Sequence, residues 1–231
     1  MRHPAIRQVF DHWDRQRGSQ AAPDRDAIDP GAIRSALADT FILAGGPGRP
    51  ALFRLAGTRV CALFCRELKG EDFVRLWHTA SREELDVMLA SVAEDRVGVV
   101  GAATAAASEA PAAGGGTAHV EFLLLPLRHD GHVGSRMLGA LAISGPVPYW
   151  SGARPASQLM LEGFRFVGAH IDPRRPLFAI GPQPRPFERI LTGPALHLKR
   201  RFAQDRLPPP PPGDSDRRRR NFIVYDGGRQ T

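Results

Sequence analysis

The stretch that decides the fold runs from Thr117 to Ile143. It reads Thr117-Ala-His-Val-Glu-Phe-Leu-Leu-Leu-Pro-Leu127, a turn at Asp130-Gly131, then Arg136-Met-Leu-Gly-Ala-Leu-Ala-Ile143. Runs of apolar strand formers on either side of Asp-Gly are the pattern of a β-hairpin. Upstream, Val97 to Ala107 reads as another strand, joined to the hairpin by the flexible loop Ala110 to Gly116. Strands linked in this way lie antiparallel. Val120 to Leu125 and Met137 to Ile143 are apolar on both faces, whereas a sheet with one wet face alternates. The outer face is therefore expected to be covered, by the N-terminal helix and a second subunit together.

Working outward, Pro4 suits the first turn of a helix. Ile6, Val9, Phe10 and Trp13 follow at i, i+3, i+4 and i+7, an amphipathic pattern ending near Gly18. These four residues are the candidate partner or dimer interface. Asp29-Pro30 predicts an N-cap and a short helix carrying Ile33 and Leu37. Thr40–Leu43 and Leu52–Leu55, separated by Gly45–Gly48, predict a hairpin. Thr58 is expected to cap a helix carrying Val60, Leu63 and Phe64, and Ser81-Arg-Glu-Glu84 reads as a capping box opening a helix with Leu85, Met88, Leu89 and Val92 on one face. Segregated strands and helices of this kind indicate an α+β domain with an antiparallel sheet.

Charge divides the chain. Of its 231 residues, 31 are Lys or Arg and 24 Asp or Glu, a net +7. Up to Ile171 there are 18 of each sign; from Asp172 to Thr231 there are 13 basic and 6 acidic residues, with 11 of the 21 prolines. A segment so rich in proline and charge is expected to be irregular or disordered. The organisation expected is a helical extension at 1–38, a domain at 39–146 and a basic, proline-rich tail at 147–231. All but two basic residues, Lys69 and Lys199, are arginine, and with abundant Ala, Gly and Pro this is also what a GC-rich genome produces. Met1 to Arg17 hold no apolar h-region, and Val97–Ser108 is too short to span a bilayer, so a cytoplasmic protein without membrane insertion is expected.

The element order, together with three stretches, resembles the PAS domain, and more narrowly a family of short bacterial PAS-domain proteins of the alphaproteobacterial type. The stretches are Trp13-Asp-Arg-Gln-Arg-Gly18 with Pro23-Asp-Arg-Asp-Ala-Ile-Asp-Pro30; Phe53-Arg-Leu-Ala-Gly-Thr-Arg-Val-Cys-Ala-Leu-Phe64 with Leu68-Lys-Gly70 and Phe73; and Leu123-Leu-Leu-Pro-Leu-Arg128 with Arg136-Met-Leu-Gly-Ala-Leu141. The ending Val224-Tyr-Asp-Gly-Gly-Arg229 is similar as well. Cys65 departs from the pattern, which has a small residue such as Gly there. The resemblance implies a five-stranded antiparallel sheet with short helices on one face. It also implies a regulatory role through small-ligand sensing, protein–protein interaction or both, without catalysis. It names no ligand, and the sequence requires no cofactor.

The candidate pocket residues are Phe53, Leu55, Val60, Phe64, Phe73, Trp77, Val99, Phe122 and Leu141, which either line a ligand cup or pack as an ordinary core. Arg54 and Arg59 beside them are expected to be solvated or paired with Glu67 or Asp72. Cys61 and Cys65 share a helix face but have no second ligand pair for zinc, and read best as small hydrophobes. His129 and His132 flank a wet turn. A haem ligand would need a His or Cys pointing into the cup; His78 and His119 fit by position, and nothing in the sequence singles out either. Phosphate-binding, nucleophile-elbow and zinc-protease motifs are absent from the sequence. Arg217, Arg218, Arg219 and Arg220 form a basic cluster that reads first as a solvated, nonspecific tail, and is otherwise able to meet phosphates, anionic lipid or an acidic protein. Without interleaved aromatics, nucleic acid is the least favoured of its partners. The expected partners are thus a second copy of the chain and a signalling protein. The alternative to sensing is a dimerisation or adaptor module whose cup is filled by side chains and whose tail docks an acidic partner.

Overall fold

The computed structural model describes residues 1–168 except Pro47, 109–116 and Tyr149, and also the backbone of 178–179. The expectations for the basic tail, Arg217–Arg220 included, lie outside the described residues.

The sheet is antiparallel throughout. Its strands are β1 (Thr40–Ala44), β2 (Leu52–Ala56), β3 (Gly98–Ala105), β4 (Ala118–His129), β5 (His132–Ile143), β6 (Met160–Val167) and the two-residue β7 (Phe178–Ala179). The spatial order is β2-β1-β5-β4-β3-β6-β7. The long β4–β5 hairpin forms the centre, with Phe122 opposite Leu141 and a tight turn at Asp130-Gly131. The five expected strands are present, and β6 is added on the far side of β3, with Val99 opposite Phe166. The domain therefore does not end at residue 146. Composition averaged over the proline-rich tail hides this strand, whose Leu161, Phe164 and Val167 are all buried.

The double-sided apolar pattern of β4 has a direct cause. Val120, Phe122 and Leu124 face an inner core, whereas Leu123, Leu125 and Leu127 face an outer one. The inner core is covered by α2 (Thr58–Phe64), α3 (Arg82–Ala90) and the turns between them. The outer core is covered by α1 (Pro4–Arg17) with Ile33 and Ala36. Ile6, Val9 and Trp13 are buried against the sheet of their own chain, and Phe10 packs half-buried beside them. They do not form the free interface expected of them, because the 3.6-residue period turns the stripe onto the outer sheet face.

Three local expectations give way to tertiary contacts. Asp29 to Ala36 forms i→i+3 turns that lead into a short 3₁₀ helix, Leu37–Asp39, rather than an α-helix. The Asp29 carboxylate accepts from Gly31 N, and the segment is held to α1 by Ser35 Oγ donating to Gln8 at 2.6 Å. Thr58 is the first residue of α2, and Gly57 occupies the cap position. The Ser81 capping box does not form, because Ser81 Oγ accepts from Leu161 N at 3.1 Å and donates to Met160 Sδ, docking β6.

Candidate functional site

The inner face of the sheet and the helices above it form the cup. Its floor depends on two cross-strand pairs, Phe41 opposite Gly139 and Gly101 opposite Phe122. A Cβ at Gly139 would lie 2.1 Å from the Phe41 ring, and one at Gly101 would lie 2.4 Å from the Phe122 ring. The glycines let both rings lie over the backbone of the neighbouring strand. Their signal in the sequence is glycine inside an apolar strand, which hydrophobic periodicity does not register.

From the floor a continuous file of rings crosses the cup. Phe41 and Phe53 have centroids 5.3 Å apart, Phe41 and Phe73 5.6 Å, Phe73 and Trp77 5.6 Å, and Trp77 and Phe122 5.0 Å. Edge-to-face and offset contacts at these distances are favourable. Phe53, Val60, Phe64, Phe73, Trp77, Val99, Phe122 and Leu141 are all brought together in this core. Leu55 is not, being 51% exposed. The register slips between Ile42 and Leu43, so that Phe53 pairs with Leu43 while Leu55 pairs with Ile42. Arg54 is the extra residue of this bulge, which turns Leu55 to the other face of the sheet.

A strap closes the cup. After β5 the chain crosses α2, the end of β3 and the turn before α3, with Ala156 N donating to Leu63 O, Ser157 N to Ala106 O, and Leu159 N to Leu76 O. His78 N returns a bond to Leu159 O at 2.8 Å. Trp150 and Leu159 enter the inner core from this strap, and Leu161 and Phe164 follow from β6. None of these four belongs to the pocket residues expected from sequence, since all lie in the segment read as tail.

Polar groups around the cup are largely used. Arg59 donates from Nε and Nη2 to the two carboxylate oxygens of Asp39, at 2.8 and 2.5 Å, and also to Ser35 O. Its partner is therefore Asp39, not Glu67 or Asp72. That hydrogen bond, more than burial opposes it, holds the guanidinium in its charged form. Cys61 Sγ donates weakly to Ala56 O and Glu67; burial first, and the Glu67 charge further, push its thiol pKa up. Both effects disfavour the thiolate, which is the nucleophilic form. Cys65 is exposed and ends α2 in a left-handed conformation, φ 51°. His78 and His119 are both exposed and do not enter the cup. His78 Nδ1 instead accepts from Ala80 N, and His119 faces Glu162 at 3.8 Å. Among the described residues no group of three or more His, Cys, Asp or Glu side chains is placed to hold a metal.

Among the described residues, a polar atom packed between the rings of the cup is not used. Trp77 is 0% exposed, and its indole Nε1 has no hydrogen-bond partner.

The sheet, the cup and α1 make sense of the family comparison: residues 1–142 match the PAS domain family. The chain belongs to that family. No curated protein and no solved structure matches the chain. The match begins before α1 and ends within β5, so the covering helix is part of the PAS unit while the strap and β6 lie beyond it. The first and third of the stretches that carry the resemblance meet in this PAS domain. Trp13 Nε1 donates to Pro126 O, and Arg128 donates to Asp24 at 2.6 Å while its main-chain N donates to Pro23 O. PAS domains are sensory and regulatory modules. No helix among the described residues is long and apolar enough to cross a membrane.

Proposed function

We propose that this PAS domain senses a small molecule in the cup, with Trp77 as its polar anchor, and works as a regulatory module without catalysis. The unpartnered Trp77 indole N–H carries the reading. A buried donor without an acceptor costs about 1–3 kcal/mol, which an arriving acceptor restores. A signal then follows if the ligand has different affinity for two conformations of the domain. The strap is the natural element to differ, since main-chain bonds from Leu159 flank Trp77. An absorbance spectrum of the intact purified protein, followed by mass spectrometry of what denaturation releases, tests this. A stoichiometric small molecule supports sensing by tight binding; an empty cup that also fails to take up added metabolites counts against it.

A second reading is an adaptor. The file of rings already in contact across the cup favours it, as do Leu37 and Leu55, 38% and 51% exposed near the β2 edge. The partner would be a second copy or an acidic signalling protein met by the basic tail. Partner capture that survives substitutions filling the cup but disappears on deleting residues 199–231 would favour this reading.

A further inference from the structure

We infer that the cup takes a neutral, largely apolar molecule whose polar contact with the wall is a hydrogen-bond acceptor, a carbonyl or ether oxygen, on the Trp77 indole N–H. This rests on the cup being the sensing site, and adds the chemical class of what it holds. A buried indole N–H ordinarily finds an oxygen. Trp13 in the outer core does so, at 2.8 Å from Pro126 O. Trp77, packed between the rings of Phe73 and Phe122, does not. Ring neighbours are at best weak acceptors, so the N–H is left to a guest. An indole N–H only donates, and therefore selects an acceptor over an amine.

The rest of the interior excludes an ionised guest. The charged residues that are fully buried among those described are committed elsewhere; Arg82 and Glu84 on α3, whose Nε and Oε2 also lack partners, are only half-buried. Asp39 is held by Arg59, Glu121 accepts from Arg2 N and His3 N beneath α1, and Arg165 sits on the outer-face register opposite Val100. An ionised ligand would enter without a fully buried counter-charge, at a cost that apolar contact does not offset. Ser91 Oγ, also buried and without a partner, is a hydroxyl that serves either role and leaves the class unchanged.

Three probes of similar size separate the possibilities on the intact ¹⁵N-labelled chain: acetophenone, ethylbenzene without its oxygen, and benzoate with a charge. The indole N–H signals of Trp13, Trp77 and Trp150 are followed by NMR and assigned with Trp77→Phe. Acetophenone is expected to move the Trp77 signal downfield and to bind about fivefold more tightly than ethylbenzene, the ratio that about 1 kcal/mol of hydrogen bonding gives. In Trp77→Phe the two should bind alike. Should that variant fail to fold, the downfield shift in the wild type still decides. Equal binding of acetophenone and ethylbenzene to the wild type, or tighter binding of benzoate, overturns the acceptor class while the cup remains a site. Failure of all three to bind at millimolar concentration overturns this inference and the sensing reading together.

Discussion

Trp13 and Pro126, 113 residues apart, are joined by a hydrogen bond from the indole Nε1 to the proline carbonyl at 2.8 Å. Pro126 lies beyond the run of β4 paired to β3, which stops at Leu124, and its carbonyl serves the helix. This bond fixes where α1 sits on the outer face. Trp13→Phe keeps an aromatic ring in place of the indole but leaves that carbonyl without its buried donor, an expected loss of about 1–3 kcal/mol. Trp13→Ala, which also removes the packing, should cost about 3–5 kcal/mol. Urea midpoints at unchanged slope measure both.

His12, on the same helix, is buried, and its Nε2 accepts from Asp29 N at 3.1 Å. Burial first, and the charge of Arg15 second, lower its pKa, against a smaller upward pull from Asp29. The folded pKa thus lies below the unfolded value of about 6.5. Below about pH 6.5 the unfolded chain takes up the proton first, so stability present at neutral pH is lost as pH falls towards the folded pKa. The slope from this group is at most about 1.4 kcal/mol per pH unit. His12→Gln offers an amide oxygen to Asp29 N, and its denaturation midpoint should fall less between pH 7 and pH 5.

Cys65 holds φ 51° at the end of α2, a conformation that costs a residue with a Cβ about 1–2 kcal/mol. Glycine avoids that cost but adds freedom to the unfolded chain. Cys65→Gly should therefore stabilise by about 0.5–1 kcal/mol, and Cys65→Ala should not. Thermal midpoints of the two variants under reducing conditions test the difference.

The family match ends at residue 142, yet Trp150, Leu159, Leu161 and Phe164 complete the inner core. Removing four such side chains exceeds what a small domain can lose. A chain ending at Pro146 should melt without a cooperative transition, whereas one ending at Gly168 should keep it. Calorimetry of the two truncations shows which boundary is physical.

The candidate site was legible in the sequence where the signal was local and periodic. The stripe Ile6, Val9, Trp13 and the doubly apolar strand Val120–Leu125 each announce a face to be buried, and together require a cover on both sides of the sheet. Phe53, Phe73, Trp77 and Phe122 could be chosen for one core because large aromatics bury the most area. Leu55 could not be placed. A single bulge at Arg54 inverts its face, and nothing in Leu52-Phe-Arg-Leu-Ala56 marks where the extra residue falls. The strap is not legible in the sequence because its bonds run to scattered main-chain atoms of Leu63, Leu76 and Ala106, which leave no spacing to read.

By itself the sequence determined the α+β class, the central antiparallel hairpin, the amphipathic N-terminal helix and the apolar character of the cup, since each follows from residue type at a fixed repeat. Only the tertiary structure decided that α1 covers the sheet of its own chain, that Ser81 serves β6 rather than its own helix, and that Arg59 holds Asp39. Only there is the Trp77 N–H left without an acceptor while that of Trp13 finds one. Both are tryptophans in apolar surroundings. Which of them meets an oxygen depends on a strand 113 residues away in one case, and on a surround of aromatic rings in the other.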